Sequence, residues 1–298
     1  MKKVLVLGGV SYNMMIDVEE FPEPVAQTVS AARFHETVGS TGAGKSWALQ
    51  KLGVPVVLHG VIGADRYGQL IREHMEREGI SFVYDVDGSG TERHVNFMKQ
   101  ATGERLSVFL HAPAEDVELD LERIEALIVE SDVVFLNIAP YCKRLIPLLK
   151  KHRREIWCDL HSYDGKRAYY DEFIEHADVL LFSSEQFPGY REFMEKCGKK
   201  LVVCTHGAQG ATAYAAGEWV EVPALKYEVV DTNGAGDNFF AGVLVGLMEG
   251  RTLQEAMRLG TVMGGLAVGS RELVDVGLSK EKVEAELREW DGGNHKCC

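Results

Sequence analysis

Between residues 120 and 204 the chain repeats one pattern, in which a helical segment is followed by a short apolar strand. The strands Val133–Leu136 and Leu201–Cys204 are apolar at every position, as strands are when helices cover both faces of their sheet. This alternation predicts βαβ units and a mainly parallel sheet, so it restricts the chain to the α/β class. The predicted elements of this region are helix 120–130, strand 132–136, helix 141–151, strand 155–159, helix 168–176, strand 178–182, helix 185–196 and strand 200–204.

The rest of the chain also carries clear helix and turn signals. Strand 4–7 ends in two glycines, helix 41–52 ends before Gly53, and helix 66–78 is closed by Gly79. The remaining predicted elements are strand 54–59, strands 92–99 and 105–110, a hairpin at 211–215 and 218–222, and a mostly helical segment at 235–290.

A chain of 298 residues has room for one large α/β domain or two modest ones. No internal repeat or low-complexity segment divides it, so we expect a single doubly wound domain over residues 1–298. The early strands, at about 11–36 and 91–111, alternate apolar and polar residues. We expect them to form a small β lid that covers a cleft.

The formal net charge of −13 limits the classes of partner. A protein that binds duplex nucleic acid needs a basic face, so no nucleic-acid partner is expected. An anionic nucleotide is still compatible with this charge, because backbone N–H groups can bind phosphate locally.

Apolar stretches and cysteines bear on the compartment. No stretch approaches the roughly 18–20 apolar residues of a membrane span, so no membrane partner is expected. The six cysteines, at positions 142, 158, 197, 204, 297 and 298, form no C-x-x-C pair and no zinc-ligand spacing. We therefore expect reduced thiols in a cytoplasmic protein.

The segment Asp231–Asp237, with the sequence DTNGAGD, is the strongest chemical motif. Its two glycines allow a tight turn, and the helix that follows directs its positive end at the same point. Gly234, Ala235 and Gly236 are therefore predicted to form an anion hole for a phosphoryl group. Asp237, in the first turn of the helix, is predicted to take a proton from a substrate hydroxyl.

This segment resembles the D-T-x-G-A-G-D signature of the ribokinase-like (PfkB) family of carbohydrate and nucleoside kinases. Three further segments resemble that family in the same order along the chain. Gly60–Gly68 is similar to its G-x-x-G-x-D-x-x-G segment, Thr205–Ala211 to its T-x-G-x-x-G nucleotide loop, and Gly8–Pro24 to its first strand and lid. Several matches in order are far more specific than any one of them.

The resemblance implies a ribokinase-like, three-layer α/β/α Rossmann-like domain with a small β-sheet lid that often dimerises. It implies transfer of the γ-phosphoryl group of ATP to a hydroxyl of a sugar, sugar phosphate or nucleoside, with Mg²⁺ and often a monovalent cation such as K⁺ near Asp231. The nucleotide residues it implies are Ser184, Thr205, Gly207, Gly210, Asp231 and Thr232. The substrate residues it implies are Asn13, Gly39, Ser40, Gly42 and Lys45. Position in the predicted elements adds Gly264 on the nucleotide side, and Asn96 and Asn137 on the substrate side.

A competing motif is present at Gly39–Ser46, which fits the Walker A pattern G-x-x-x-x-G-K-S in full. A true P-loop follows a buried apolar strand, and residues 31–38 are too polar for one. The resembling family carries its own Gly-rich substrate motif at this position, before a helix that ends in Leu-Gly as here at Leu52-Gly53. We therefore favour the kinase and keep a P-loop NTPase as an alternative.

Three positions depart from the family pattern. Asn is usual near the end of the Gly-rich segment, where this chain has Gly44, and Asp is usual in the first loop, where it has Asn13. The N-x-x-E segment linked to magnesium and phosphate falls at Ser184–Phe187, which does not match. Either Glu185 substitutes for it, or the metal is held mainly through water and phosphate. These departures leave a catalytically silent ligand-binding protein on the same fold as a further alternative.

Several candidate residues also have purely structural interpretations. Asn137 follows a core strand, where open α/β sheets bind ligands, or it satisfies the turn that follows. Asn96 contacts substrate or belongs to the polar face of a strand, and Gly264 allows close approach to a neighbouring helix or to the adenine. Asp159 and His161 are interpreted as loop residues.

Overall fold

The computed structural model describes residues 2–293, so Cys297 and Cys298 lie outside the described residues. The strands are β1 Val4–Leu7, β2 Ser11–Val18, β3 Arg33–Gly39, β4 Val56–Gly63, β5 Ser81–Asp87, β6 Arg93–Lys99, β7 Arg105–His111, β8 Val133–Asn137, β9 Glu155–Asp159, β10 Val179–Ser183, β11 Leu201–Thr205, β12 Ala211–Ala215 and β13 Glu218–Val222. The helices are α1 Thr41–Lys51, α2 Arg66–Arg77, α3 Leu121–Glu130, α4 Pro140–Lys143, α5 Ile146–His152, α6 Asp171–His176, α7 Tyr190–Lys196, α8 Ala235–Met248, α9 Leu253–Val268 and α10 Lys280–Asp291.

Nine strands form the main sheet, in the order β13-β12-β11-β10-β9-β8-β1-β4-β5. Neighbouring strands are parallel except at β12 and β13, which pair antiparallel at one edge. The chain moves outward from β1 through β4 to β5, and then returns to β8 on the other side of β1. Strand order therefore reverses between β1 and β8, which is where open α/β sheets bind ligands.

Helices cover both faces of the main sheet. One apolar core contains side chains of α1, α2 and α8–α10, including Trp47 and Phe239. The core on the other face contains side chains of α3–α7, including Ile124 and Phe173. The predicted doubly wound, three-layer α/β/α class is confirmed, since helices cover both faces of the sheet and strands such as β1, β4 and β8 are buried along their whole length.

Four strands form a separate small sheet, in the order β3-β2-β6-β7. The buried side chains of its inner face include Asn13, Met15 and Asn96. Its outer face contains a row of apolar side chains, since Phe34 pairs with Ile16, Ile16 with Phe97, and Phe97 with Leu106. Phe34 and Leu106 are 68% and 41% exposed. The outer face of the small sheet is therefore apolar and, among the described residues, partly exposed.

Prolines explain two differences from the predicted elements. The predicted helix 141–151 is divided into α4 and α5, because Pro147 cannot donate a hydrogen bond in a helix interior. The predicted helix 185–196 begins only at Tyr190, since Pro188 and Gly189 precede it. Strand β5 was not predicted, because its alternating SFVYDVD pattern at the sheet edge lacks the continuous apolar signal of the central strands.

Candidate active site at the start of helix α8

The turn before α8 is fixed by close packing. Gly234 has φ of 80°, and a Cβ there would collide with the Leu273 carbonyl oxygen. The Asn238 amide donates hydrogen bonds to the Gly234 oxygen (2.8 Å) and the Leu273 oxygen (2.7 Å). A Cβ at Gly236 would meet nothing within 4 Å, so the N-terminus of α8 borders open space. Helix N-termini that border open space are places where anions commonly bind in proteins.

Beside this turn, Lys45, Asp159 and Asp237 form a buried ion cluster. The three residues are 0%, 3% and 8% exposed. The Lys45 ammonium donates to Asp159 Oδ2 at 2.7 Å and to Asp237 Oδ1. One cation is therefore shared by two carboxylates, and a buried charge of this kind is stable only when it is paired.

Burial and pairing act on the three groups differently. Burial raises the pKa of the Asp237 carboxyl, although Lys45 opposes this effect. Burial works against the charged form of Asp159, but His161 and Lys45 outweigh it and lower the pKa of Asp159. Burial also works against the Lys45 ammonium, yet the two carboxylates outweigh it and raise its pKa. Lys45 and Asp159 are therefore held as ions, and Asp237 is the member that takes up a proton most readily.

Gly44 packs directly against the Asp237 carboxylate. A Cβ at Gly44 would lie 2.8 Å from Asp237 Oδ2 and 3.1 Å from Asp237 Cβ. Any side chain here would displace the carboxylate, including the Asn that is usual in the resembling family. The departure at Gly44 is thus matched by the close approach of α1 to Asp237.

The start of α1 packs on the turn after β1. The Gly42 N–H donates to the Gly9 oxygen at 3.1 Å, and a Cβ on Gly42 would lie 2.8 Å from the Gly8 carbonyl carbon. Ser40 precedes the helix with a left-handed φ of 75°. Glycine at 42 therefore brings the Gly-rich segment against the end of the central strand.

The segment Gly39–Ser46 does not have the surroundings of a P-loop. Strand β3 lies at an edge of the small sheet and its first two residues are exposed, whereas a P-loop follows a buried central strand. Lys45 lies within α1 and its ammonium points into the ion cluster. The P-loop NTPase alternative is therefore wrong.

Three asparagines predicted at the site have protein partners. Asn137 donates to the Leu7 oxygen and accepts from Thr41 Oγ1, both at 3.0 Å. Asn13 Oδ1 accepts from the His94 N–H at 3.2 Å, and Asn96 Oδ1 accepts from Ser107 Oγ at 2.6 Å. These bonds hold the amides in place between β1, α1, β8 and the small sheet.

The hairpin between β6 and β7 contacts the segment before α8. Thr232 Oγ1 donates to the Gly103 oxygen at 2.8 Å, and Arg105 donates to Asn233 Oδ1. Asp231 Oδ1 accepts from the Asn233 N–H at 2.7 Å, and burial raises the pKa of Asp231. The small sheet is therefore joined to the same segment that leads into Asp237.

Four of the predicted nucleotide residues, Ser184, Thr205, Gly207 and Gly210, lie around the end of β11. The Ser184 N–H donates to the Thr205 oxygen at 3.0 Å, and Ser184 Oγ lies 2.8 Å from His206 Nδ1. The other ring nitrogen, His206 Nε2, lies 2.8 Å from Thr212 Oγ1, and the His206 N–H donates to the Gly210 oxygen at 2.8 Å. His206 therefore links Ser184 with the loop, a role that the motif did not indicate.

Glycines shape this loop. Gly207 and Gly210 have φ of 55° and 97°. A Cβ at Gly210 would collide with the Val222 carbonyl oxygen, so the loop packs tightly on β13. Burial lowers the pKa of His206, with Arg191 adding to the effect, which favours a neutral imidazole.

Two predicted residues lie apart from these clusters. Glu185 is exposed. A Cβ at Gly264 would lie 3.2 Å from the Ala235 oxygen and 3.4 Å from Phe239 Cβ, so Gly264 lets α9 pack closely on the first turn of α8.

Within residues 2–293 no group of three or more His, Cys, Asp or Glu side chains is arranged to hold a metal ion. No helix in that range is both long and apolar enough to cross a membrane.

Asp159 and His161 were interpreted as loop residues, yet both belong to the ion cluster region. The His161 N–H donates to Asp159 Oδ1 at 2.9 Å, and His161 Nδ1 lies 3.6 Å from Asp159 Oδ2. Asp159 is the last residue of β9. The signal for both residues was their position after a buried parallel strand, where functional groups collect.

A separate cavity of about 520 Å³ opens beside α1 and α2. Tyr12, Trp47, His74 and Glu272 contribute to its wall, which contains no member of the ion cluster. The cavity and the ion cluster are therefore at different places in the molecule.

Comparison with known proteins agrees with this geometry. The sequence model of the pfkB family carbohydrate kinases matches residues 1–279. The chain is 30% identical over 274 residues to acarbose 7(IV)-phosphotransferase of Actinoplanes sp., covering 89% of this chain and 91% of that protein. It is 25% identical over 284 residues to ribokinase of Bacillus subtilis, covering 91% of this chain and 94% of that protein.

A solved structure of similar fold is that of a microbiome-derived acarbose kinase, Mak1. It matches with a TM-score of 0.85 and 26% identity, over 97% of this chain and 99% of that one. The similarity therefore extends over both the main sheet and the small sheet.

Proposed function

The chain belongs to the pfkB family of carbohydrate kinases, and on that premise we propose that Asp237 is the catalytic base of a sugar kinase. ATP-dependent phosphorylation of a sugar hydroxyl is the activity of the chain. What remains to be assigned is which residues perform it and which sugar is the acceptor. The observation that carries the assignment is the buried Asp237 carboxylate in the first turn of α8, beside the open space at Gly236.

Asp237 has the properties that a base for an alcohol needs. Its pKa is raised by burial, which increases its affinity for a proton while it remains an aspartate. One carboxylate oxygen accepts from Lys45. The other oxygen is proposed to accept the proton of the acceptor hydroxyl as that oxygen attacks phosphorus in line.

Gly234, Ala235 and Gly236 are proposed as the anion hole. The first-turn N–H groups of a helix have no partners within the helix, and the helix dipole favours negative charge there. The lack of any side chain at Gly236 fits an anionic group at this point. These groups would stabilise charge that develops on the transferring phosphoryl group.

Ser184, Thr205, Gly207 and Gly210 are proposed to hold the nucleotide, with Asp231 and Thr232 nearer the phosphates. MgATP, when bound, supplies the phosphoryl group and a divalent cation that offsets its charge. Mg²⁺ commonly keeps several waters and binds through few carboxylates, so a dedicated cage of acidic residues is not required. Asp231 is further proposed to lie beside a K⁺ ion, because a mostly buried carboxylate suits a cation.

The acceptor is proposed to be a sugar bound between Asp237 and the inner face of the small sheet. Asn13, Gly39, Ser40 and Gly42 border this region, and Asn amides both donate to and accept from hydroxyls. The names of the relatives suggest a saccharide such as acarbose, or a free pentose such as ribose, as first candidates. A nucleoside is the remaining class to compare.

We also propose that the small sheet acts as a lid and forms a homodimer through its outer face. The row of Ile16, Phe34, Phe97 and Leu106 is apolar, and two of these side chains are strongly exposed. Exposed apolar patches of this kind mark interaction surfaces. A second copy of the same face would cover it symmetrically.

The test is ADP release from MgATP in the presence of acarbose, ribose and nucleosides. We expect release that depends on one acceptor class, and we expect Asp237→Asn to lower kcat by about 10²–10⁴-fold, because general-base catalysis contributes that much. Nucleotide binding by calorimetry should stay near the wild-type value.

The matched control is Asp171→Asn, which changes an aspartate in the first turn of α6, on the opposite face of the sheet. It should keep wild-type kcat. Substantial turnover by Asp237→Asn would reject Asp237 as the base. ATP binding without acceptor-dependent release by the wild type would favour a silent ligand-binding protein.

A further inference from the structure

Lys45 is a fully buried cation that touches the proposed base. Its side chain is 0% exposed, and its ammonium contacts only protein groups that are themselves buried. An incoming sugar therefore does not meet Lys45 in this conformation. Its contacts are with Asp159 Oδ2 at 2.7 Å and Asp237 Oδ1.

The two contacts come from different parts of the fold. Lys45 lies on α1, Asp159 ends β9, and Asp237 lies in the first turn of α8. Asp159 is itself fixed by the His161 N–H, which donates to its other oxygen at 2.9 Å. The ammonium is thus held from behind by an anchored carboxylate, and it in turn holds one oxygen of Asp237.

The second oxygen of Asp237 has a different neighbour. Oδ2 lies against Gly44, at 2.8 Å from where a Cβ would stand. With Oδ1 taken by Lys45 and the carboxylate plane confined by Gly44, the direction of Oδ2 is set by α1. A base must be held in a productive geometry, because small misplacements cost large factors in rate.

We propose that Lys45, anchored by Asp159, is a positioning residue for Asp237, holding one carboxylate oxygen so that the other faces the acceptor hydroxyl. This inference rests on the proposed role of Asp237 as base. It assigns Lys45 to the base rather than to the sugar. It also gives Asp159 a function, as the group that keeps the cation in place.

The pairing sets the charge of the base as well as its direction. The charged or titratable groups that face Asp237 are Lys45 from α1, Asp159 from β9 and His161 from the turn after β9. Lys45 lowers the pKa of Asp237, whereas Asp159 raises it. Removal of Lys45 should therefore raise the pKa of Asp237, whereas removal of the Asp159 charge should lower it.

The experiment compares the pH dependence of kcat/KM for Lys45→Met and Asp159→Asn with that of the wild type. The base must be unprotonated, so activity falls as the pH drops through its pKa. We expect the acidic limb to move to higher pH in Lys45→Met, which leaves two carboxylates without their cation. We expect the acidic limb to move to lower pH in Asp159→Asn, because Asp237 is then the only carboxylate of the cluster that pairs with Lys45.

Loss of the holding contact should also lower kcat of Lys45→Met at neutral pH by roughly a hundredfold, as expected for a misplaced catalytic group. Lys51→Met is the matched control, since Lys51 lies at the far end of the same helix and pairs with Glu78. It should keep the wild-type profile. His161→Gln should keep an acidic limb, and disappearance of the limb in that variant would assign it to His161 and overturn the proposal.

Unchanged limbs in both cluster variants, with reduced stability alone, would mean that the cluster only supports the fold and would reject the proposal. If Lys45→Met does not fold, the test rests on Asp159→Asn. An acidic limb that stays in place or moves to higher pH in that variant would reject the proposal. Carbon-13 NMR of the aspartate carboxyls, with the Asp237 signal identified by its loss in Asp237→Asn, measures the same opposite shifts without turnover. If the proposed acceptors give no wild-type turnover, that result rejects those acceptors, and the carboxyl shifts alone decide the role of Lys45.

Discussion

At the scale of single residues, the site depends on what is absent as much as on what is present. Gly44 has no side chain where the family usually carries Asn, and the Asp237 carboxylate fills that space. Lys45, the next residue, contributes the charge that the buried carboxylate requires. Gly44 and Lys45 are therefore linked, because close approach at 44 brings the ammonium at 45 to Asp237.

We expect Gly44→Ala to lower kcat by about tenfold or more, because the new methyl group would lie 2.8 Å from Asp237 Oδ2 and displace the proposed base. Gly88→Ala is the matched control, as a Cβ at Gly88 would meet nothing within 4 Å. Steady-state kinetics with circular dichroism melts measure both. Equal kcat for the two variants would show that the carboxylate relaxes without cost.

At the scale of elements, the residues of the candidate site lie at the ends of strands and the starts of helices. Asn137 and Asp159 end the neighbouring parallel strands β8 and β9, while α1 and α8 begin at the same edge of the sheet. The proposed nucleotide loop follows β11 and packs against β13 at Gly210. The proposed catalytic and nucleotide residues therefore lie at one edge of the main sheet, on loops that follow different strands.

We expect Gly210→Ala to raise KM for ATP by about tenfold, the effect of losing about 1.4 kcal/mol of binding, because its Cβ would collide with the Val222 oxygen and shift the loop. Gly217→Ala is the control, since Gly217 also has positive φ, 86°, but a Cβ there has nothing within 4 Å.

Both variants should lose about 1–3 kcal/mol of stability from backbone strain. Only Gly210→Ala should change KM for ATP, measured by initial rates at saturating acceptor. A similar rise in both variants would mean that strain, not the loop position, affects nucleotide binding.

At the scale of the whole molecule, the structure consists of a main sheet and a small sheet with different roles. The main sheet presents the ion cluster and the α8 terminus, and the small sheet is attached through Thr232, Gly103 and Arg105. Its buried inner face turns toward the main domain and its outer face is apolar. An uncovered apolar face on a four-stranded sheet is costly in water, so association of two copies is the expected outcome.

We expect Leu106→Asp to shift the protein from dimer to monomer, because it places a charge in the apolar row next to Phe97. Val129→Asp is the control, since Val129 is 47% exposed but lies at the end of α3, away from the small sheet. Sedimentation velocity over a range of concentrations measures the state. A monomeric wild type, or a Leu106→Asp dimer, would refute the proposed interface.

The sequence by itself determined the fold class and the positions of the chemical motifs. Continuous apolar runs separated by helical segments admit few arrangements other than a parallel sheet between helices, because buried strands must hide both faces. The DTNGAGD segment indicated a helix-terminal anion site, since glycine pairs before a helix have local physical consequences. Proline and edge positions accounted for the mispredicted boundaries.

Only the tertiary structure decided the partners of Asp237. Lys45 lies 114 positions from Asp159 and 192 positions from Asp237 along the chain, so no local pattern relates them. They meet because parallel strands end at one edge of the sheet, and because glycine at 44 allows α1 to approach α8. Lys45 lies in a segment that matches the P-loop pattern, so the motif alone cannot distinguish it from a P-loop lysine. Its burial between two carboxylates makes that distinction.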